Sequence, residues 1–246
     1  MSLTEHISIR ELMTQLEWDR PYSTQDLEAM GVPATNAARL AGSGWLKRLG
    51  RGVYKVPNGT LDRDKVLAFL TSKLPGIHVG GKTALAWRGV RHNLAHRERI
   101  NLWGPKAVRL PDWLPTLFDT TYQSTQIFDD ELPEGFGLSP LPGGHPRVLV
   151  SVPERALLEL FSDTGKLQSF EETANLVDSV RNLRADVLNT LLAHTKRVKV
   201  ARLAKTFAEE MNLPWQNIAR KYSDQLGSAS RWIAVTRDKK TLSLSK

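Results

Sequence analysis

Residues 34–56 have the sequence ATNAARLAGSGWLKRLGRGVYKV, and the spacing of the apolar residues changes within this stretch. The first part, from Ala34 to Ser43, has the pattern of a short helix that ends at Gly42 and Gly44. The second part gives two short strand-like runs on either side of Gly50-Arg51-Gly52, which is typical of a β-hairpin. The stretch therefore predicts a helix followed directly by a hairpin with a basic tip.

Further helices are predicted on both sides of this stretch. Ser8 is followed three residues later by Glu11, and Ser23 by Asp26. This is the spacing of a capping box, in which the serine oxygen accepts from a free backbone amide and the acid reaches back. A closing helix is predicted to begin at Asp62, which serves as its cap.

The predicted order of elements is that of a winged helix-turn-helix domain, which we place at residues 1–75. In this fold the third helix enters the major groove of DNA, and the hairpin, or wing, lies along the backbone or the minor groove. We expect Ala38, Leu40 and Ala41 of the third helix to face the first two helices. The alternative is a small α+β domain whose basic hairpin is only solvated.

The distribution of charge favours DNA binding. The chain has 34 Lys and Arg against 26 Asp and Glu, a net charge of +8, and a basic balance favours a polyanionic partner. No acid lies between Glu28 and Asp62, the window that holds the third helix and the hairpin. Asn and Arg on that helix suit base edges, whereas basic residues of the hairpin suit phosphates. The candidate DNA-contacting residues are Thr35, Asn36, Arg39, Lys47, Arg48, Arg51, Tyr54 and Lys55.

The rest of the chain, residues 76–246, is predicted to be a second domain. Its first part, to residue 152, mixes strands and helix, and the part from residue 153 onwards is mainly helical, so the whole chain is predicted to be α+β. The predicted strands are Arg99–Trp103, Thr120–Phe128 and Arg147–Val152, with a surface loop over 133–146. The predicted helices cover 80–87, a segment that starts at Ser151, then 168–181, 184–194, 197–212 and 214–222, before a hairpin of Arg231–Thr236 and Thr241–Leu244.

Composition excludes several classes of protein. With 41% hydrophobic and 24% charged residues, the chain is not a disordered one. The absence of cysteine excludes disulfides, thiolate nucleophiles, iron–sulfur clusters and cysteine-ligated zinc. No stretch approaches the roughly 18 apolar residues of a membrane-spanning helix, and Glu5, Glu11 and Asp19 stand where a secretory signal would be basic and then apolar. We expect a cytoplasmic protein without a membrane partner.

Two motifs are interpreted as coincidental. Residues 76–83, GIHVGGKT, match the P-loop pattern G-x-x-x-x-G-K-[ST]. A P-loop follows a buried parallel strand, whereas Gly76 follows a predicted helix, so no nucleotide site is expected. His92 and His96 have the spacing of two metal ligands on a helix, but no carboxylate lies between them. We therefore expect neither a metal nor a cofactor.

Three pieces of the sequence resemble the AbiEi antitoxins, the DNA-binding members of abortive-infection type IV toxin–antitoxin pairs. The run LAGSGWLKRLGRGVY, from Leu40 to Tyr54, is similar to the wing of that family. The run TALAWRG, from Thr83 to Gly89, resembles its middle-domain helix, and SVPERALL, from Ser151 to Leu158, resembles its strand-to-helix junction. The resemblance is good over residues 3–160 and loose over the helical remainder.

The resemblance implies a repressor that binds inverted repeats in the operator of its own operon, as a monomer or weak dimer that is cooperative on DNA. It also implies a C-terminal domain that neutralises a cognate toxin resembling nucleotidyltransferases, with direct contact between the two left open. No antitoxic residue carries over from the family. By charge alone, the acid-free window between Asp186 and Glu209 marks a basic helix face as the candidate, although such a face is often only solvated. Its residues are Lys196, Arg197, Lys199, Arg202 and Lys205.

Two other functions remain open from the sequence. One is a stand-alone regulator whose C-terminal domain binds a ligand or dimerises. The other is a nucleic-acid-processing enzyme, because the acidic metal ligands of a nuclease need no tight spacing. A toxin reading frame directly downstream would favour the antitoxin over the plain regulator. A metal-dependent activity that disappears on changing Asp129 or Asp130 would favour the enzyme, whereas we expect no catalysed reaction.

Overall fold

The chain folds into helices and small sheets, which confirms the predicted α+β class. A computed structural model describes residues 7–90 and 98–226 in full, and the backbone of 232–235 and 241–244. No helix within these described residues is long and apolar enough to cross a membrane.

The chain forms two compact units. The first unit consists of Met1–Pro75 together with Arg109–Phe118. The second consists of Gly76–Val108 and Asp119–Lys246. The chain thus enters the second unit, returns to the first over residues 109–118, and then leaves it again.

Three short helices begin the first unit, as the sequence pattern predicts. They are α1 (Ile9–Gln15), α2 (Thr24–Ala29) and α3 (Ala34–Gly42). Ser8 caps α1 and Ser23 caps α2, and each forms the predicted capping box with the acid three residues on. Leu12, Leu27 and Leu40, one from each helix, are buried in a common core. Burial of these apolar side chains stabilises the three-helix arrangement, since isolated helices of this length are marginal in water.

A three-stranded antiparallel sheet forms the wing. It contains β1 (Tyr22–Ser23), β2 (Lys47–Gly50) and β3 (Val53–Lys55), in the order β1-β3-β2. The hairpin of β2 and β3 is as predicted, whereas β1 is too short to show a strand pattern in the sequence. The helix α4 (Arg63–Lys73) follows, and the Asp62 carboxylate accepts from the backbone N–H of Lys65. The first unit is therefore a winged helix-turn-helix domain.

The second unit begins with a mixed five-stranded sheet. Its strands are β4 (His78–Val79), β5 (Ile100–Trp103), β6 (Thr120–Gln123), β7 (Leu138–Ser139) and β8 (Val150–Ser151). The helix α5 (Gly81–Trp87) lies between β4 and β5 in the chain. The order is β6-β5-β4-β8-β7, with β5/β6 and β4/β8 parallel. The short helix α6 (Leu114–Leu117) lies between β5 and β6 in the chain but belongs to the first unit.

Two predicted strands are shorter than expected. The strand predicted over Thr120–Phe128 ends at Gln123, and the one predicted over Arg147–Val152 is reduced to Val150–Ser151. The two-residue strands β4 and β7 were not predicted, because two residues cannot display an alternating pattern.

Five helices complete the second unit near the expected positions. They are α7 (Pro153–Asp163), α8 (Phe170–Ser179), α9 (Ala185–Ala193), α10 (Val198–Glu210) and α11 (Gln216–Gln225). The rings of Phe161 on α7 and Phe207 on α10 stack at 5.6 Å between centroids, and both are buried. The predicted final hairpin is present as β9 (Trp232–Val235) paired antiparallel with β10 (Thr241–Leu244).

Candidate nucleic-acid interface

The helix α3 has one apolar face and one open polar face. Ala37 and Leu40 are buried against the core of the first unit, while Thr35 and Arg39 are exposed and Asn36 is half-buried. The three polar side chains thus lie outside the core, where the prediction needs them. Their contact with DNA remains a prediction.

One detail of the predicted helix face is wrong. The structure buries Ala37 rather than Ala38, which is exposed, and leaves Ala41 half-buried. Because α3 has an alanine at both 37 and 38, the sequence pattern did not distinguish which of the two faces the core.

The tip of the wing is held by the start of α2. The backbone N–H of Thr24 donates to the carbonyl oxygen of Gly52 at 2.9 Å. Gly52 has φ +69, a left-handed conformation that glycine adopts without the usual steric cost. Arg51, just before it, is exposed and makes no hydrogen bond or ion pair within the described part of the chain. The tip arginine therefore has an ordered backbone and a side chain that is open to a partner.

The other basic residues of the wing differ in how exposed their side chains are and in the hydrogen bonds they make. Lys47 and Arg48 are exposed, and the Arg48 Nε donates to the Gly50 carbonyl at 3.1 Å. Lys55 is half-buried, and its Nζ donates to the Gly59 carbonyl. Burial, with a smaller effect of the Lys47 charge, lowers the pKa of Lys55.

Tyr54 is wrongly assigned as a DNA contact. It pairs with Tyr22 across β1 and β3, and only 5% of its surface is exposed. Alternation along β3 points Tyr54 into the core and its neighbours Val53 and Lys55 to the other face. An aromatic side chain of this size is placed inside because its burial stabilises the small core.

Sequence reasoning missed an exposed aromatic residue between α3 and the wing. Trp45 is 47% exposed, and its backbone N–H donates to the Leu40 carbonyl at 2.9 Å. Gly44, with φ +83, turns the chain at this point. A tryptophan next to a glycine turn, outside the apolar stripe of the helix, was the signal that could have found it. It adds a large flat surface beside the candidate DNA-contacting residues.

The basic face expected on α10 does not form as one surface. Lys199 is 5% exposed and Arg202 is 2% exposed, so neither belongs to a solvated patch. The Lys199 Nζ donates to the carbonyl oxygens of Ser162 and Thr164, at 2.8 and 2.5 Å, where α7 ends. Burial lowers the pKa of Lys199 to about 8, with a further contribution from the charge of Lys166. Lys199 therefore donates hydrogen bonds to carbonyl groups that have no helical partner because α7 ends there.

The remaining members of that set lie nearer the surface. Lys196 is exposed and its Nζ donates to Gln126, at 3.0 Å. Arg197 is half-buried at the start of α10. Lys205 pairs with Asp224 at 3.0 Å. These three are the surface residues left from the predicted antitoxic set.

The P-loop-like segment holds a carboxylate of the protein itself. Strand β4 lies inside the motif, and Glu159 from α7 occupies the start of α5. Its Oε2 accepts from the backbone N–H of Gly81 at 2.9 Å and from the Ser151 hydroxyl at 2.8 Å. Lys82 pairs with Glu172. The amide and the lysine that would bind a nucleotide are therefore both in use.

A cleft of about 380 Å³ lies in the second unit, lined by Trp103, Phe128, Asp129, Asp130 and Arg155, among others. The Asp129 carboxylate pairs with the Nδ1 of His194 at 2.9 Å. Desolvation works to raise the pKa of Asp129. The hydrogen bond and charge of His194, together with backbone hydrogen bonds from Glu131 and Leu132, outweigh it and lower the pKa. No group of three side chains suited to a metal ion occurs among the described residues. The predicted histidine pair, His92 and His96, lies outside the described residues.

Two family models match the chain, and both describe the same family. Residues 5–96 match the model of the transcriptional regulator, AbiEi antitoxin N-terminal domain. Residues 97–242 match the model of the transcriptional regulator, AbiEi antitoxin, type IV toxin–antitoxin system. No curated protein sequence matches the chain.

A solved structure supports the fold. The RV2827C protein from Mycobacterium tuberculosis is similar with a TM-score of 0.57 and 16% sequence identity, over 92% of this chain and 87% of that one. At this identity the likeness shows the fold alone. The family matches span nearly all of the sequence and agree with the three resembling pieces. The chain therefore belongs to the AbiEi antitoxin family of transcriptional regulators of type IV toxin–antitoxin systems.

Proposed function

We propose that the protein binds the operator of its own operon through the first unit and represses transcription. The observation that carries this proposal is the open polar face of α3, with Thr35, Asn36 and Arg39 outside the core. In this mode Asn36 bonds to an adenine edge and Arg39 to a guanine edge in the major groove. Each such pair discriminates against the wrong base by about 1–3 kcal/mol.

The wing supplies contacts that do not depend on base sequence. Lys47, Arg48 and Arg51 are exposed cations on β2 and the wing tip, and they neutralise phosphates. Trp45 packs against the sugar–phosphate backbone between the helix and the wing. In this proposal the base contacts of α3 provide specificity for the operator sequence, and the phosphate contacts of the wing provide affinity for any DNA.

An electrophoretic shift with the protein's own upstream region, at two salt concentrations, tests the proposal. We expect a shift that resists an excess of random competitor DNA and weakens as salt rises. Equal affinity for the upstream region and for random DNA would contradict operator recognition. Sedimentation of the free protein distinguishes the two modes on an inverted repeat: a protein that is monomeric in solution and binds as two copies would indicate cooperative monomers, whereas a protein that is already dimeric in solution would indicate a dimer.

The second unit, in the same proposal, counteracts a cognate toxin that resembles nucleotidyltransferases, and it does so without catalysing a reaction. The support is the family description, which names type IV toxin–antitoxin systems. The candidate residues are now the surface ones, Lys196, Arg197 and Lys205, because Lys199 and Arg202 are buried.

The two activities are separable in the full-length chain. A variant with both Asn36→Ala and Arg51→Gln should lose repression of a reporter while still protecting cells that express the toxin encoded beside it. A variant with Lys196→Gln and Arg197→Gln should show the reverse. Loss of both activities together in either folded variant would contradict this assignment.

A further inference from the structure

The segment 109–118 joins the winged helix although it follows the first part of the second unit in sequence. It falls inside the family match to residues 97–242, not in the match to the N-terminal domain. In the structure it packs with Met1–Pro75 as part of the first unit. Its most buried side chains are Trp113, 7% exposed, and Leu114, fully buried.

Trp113 fills the space next to the wing. Its Cδ1 lies 2.8 Å from the position that a Cβ on Gly50 would take, at the end of β2. On its other side the Trp113 ring meets the Phe69 ring of α4, with 6.2 Å between centroids and 56° between planes. The indole thus packs between α4 and the strand that leads to Arg51.

The same segment adds a cation to a basic rim beside the wing tip. A cleft of about 410 Å³ in the first unit has apolar residues such as Val53 and Phe69 in its lining, and it also borders on Arg51, Lys73 and Arg109. No carboxylate occurs among the described residues that line this cleft. The three cations come from the wing, from α4 and from the segment 109–118.

Lys73 and Arg109 bind their present partners within the protein only weakly, so a DNA phosphate can replace these partners. The Lys73 Nζ donates to the neutral Gln25 side chain at 2.9 Å. Arg109 pairs with Asp112 at 2.8 Å, but the side chains are 85% and 81% exposed. Exposed ion pairs contribute little to stability because water screens them, so Arg109 exchanges this partner at small cost.

We propose that residues 109–118 complete the DNA-binding surface of the first unit, with Arg109 and Lys73 binding DNA phosphates beside Arg51 while Trp113 holds the wing in position. This inference rests on the proposed function. Duplex DNA is the favoured occupant because the rim is cationic, has no carboxylate among its described lining residues and continues from the wing tip.

Salt dependence of binding tests the phosphate contacts. Removal of one phosphate contact lowers the slope of log affinity against log salt by about 0.9. We therefore expect Lys73→Gln and Arg109→Gln each to reduce the fall in affinity between 50 and 200 mM salt by about threefold. Asp112→Asn should tighten binding to random DNA, since it removes the carboxylate beside Arg109. Lys166→Gln, an exposed cation of the second unit, is the control and should change nothing.

A double-mutant cycle tests the role of Trp113 as a positioning residue. Trp113→Phe should weaken DNA binding by about three- to tenfold, and Arg51→Gln should then cost clearly less than in the wild type, because coupled residues are not additive. Leu12→Ala, a core change on α1, should lower stability but remain additive with Arg51→Gln. Circular dichroism of each variant verifies that it is folded.

The outcomes separate the inference from the proposed function. If Arg51→Gln and Asn36→Ala weaken binding while Lys73→Gln and Arg109→Gln leave the slope unchanged, the inference is overturned and the proposed function stands. The cleft would then be a candidate for an acidic protein segment. Additivity of Trp113→Phe with Arg51→Gln overturns the positioning role. Absence of DNA binding by the wild type overturns both proposals.

Discussion

The carboxylate of Glu159 accepts a hydrogen bond of 2.9 Å from the backbone N–H of Gly81. Its other oxygen, Oε1, accepts from the Nε2 of His78 and the Nε of Arg155, each at 3.0 Å. The His78 Nδ1 also faces an acceptor, the Gly76 carbonyl, at 3.0 Å. Both ring nitrogens of His78 therefore face hydrogen-bond acceptors, and His78 and Arg155 contact the same oxygen of this buried carboxylate.

This cluster should be important for stability. Burial alone would raise the pKa of Glu159, but the charge and hydrogen bond of His78, together with the charge of Arg155, lower it. Glu159→Gln removes the negative charge and leaves His78 and Arg155 poorly compensated. We expect a loss of about 3–5 kcal/mol in the free energy of unfolding, as for other broken buried pairs.

Denaturant unfolding of the two glutamate variants measures this effect. Glu134→Gln, at an exposed position in the loop, makes the same chemical change and should alter stability by no more than about 0.5 kcal/mol. If Glu159→Gln were as mild as this control, the cluster would not hold β4, α5 and α7 together.

Asp163 should make stability depend on pH. Burial raises its pKa to about 7, and the charge of Glu159 adds to the shift. The folded state then binds more protons than the unfolded state between about pH 4 and pH 7, so stability falls as pH rises through that window. Asp163→Asn removes the ionisation and should flatten the profile.

Thermal or denaturant unfolding at pH 5 and pH 8 checks this expectation. From pH 5 to pH 8 the variant should gain on the order of 2 kcal/mol relative to the wild type. Asp186→Asn, at an exposed position, is the matched control and should follow the wild-type profile. Parallel profiles for wild type and Asp163→Asn would show that Asp163 does not have a raised pKa.

Gly50 and Gly42 should respond in opposite directions to alanine. A Cβ on Gly50 would lie 2.8 Å from the buried ring of Trp113, whereas one on Gly42 would meet nothing within 4 Å. Gly50→Ala forces overlap and should cost about 1–3 kcal/mol. Gly42→Ala, at the last residue of α3, should stabilise by about 0.4–1 kcal/mol through the unfolded state. Equal unfolding midpoints for the two variants would refute the close approach of Trp113.

Asn36 and Arg51 should contribute differently to DNA binding. Arg51→Ala removes a phosphate contact, so it should weaken binding to all DNA and lower the salt slope by about one. Asn36→Ala removes a base contact and should relax specificity for the operator by about 1–3 kcal/mol. Titration of both variants with operator and random duplexes distinguishes these effects. Equal losses on both duplexes for both variants would contradict the division.

Local patterns were enough to predict most of the elements. The capping boxes at Ser8 and Ser23 formed because their partners lie three residues away, within the same turn. The hairpin around Arg51 and the order of the C-terminal helices likewise follow from spacing along the chain. The resembling pieces also predicted the family correctly.

The content of the site depended on contacts between distant parts of the chain. Tyr54 and Lys199 lie in basic stretches of the sequence, yet both are buried. The ring of Tyr54 packs in the core of the first unit, and the Lys199 Nζ donates to the Ser162 carbonyl near the end of α7. The segment 109–118 carries no signal that it packs with the wing.

Residue spacing alone was enough to obtain the winged helix, because helix caps, turns and hairpins are made by residues that are neighbours in the chain. Composition indicated the basic character, and the three resembling pieces indicated the family. Which side chains remain open to a partner was settled only when remote segments packed together. The carboxylate of Glu159, on α7, accepts a hydrogen bond from the backbone N–H of Gly81 in the P-loop-like segment, which lies far from it in sequence. Trp113 packs against Gly50 although it follows β4 and β5 in the chain. Burial is a property of the assembled core, and no local pattern encodes it.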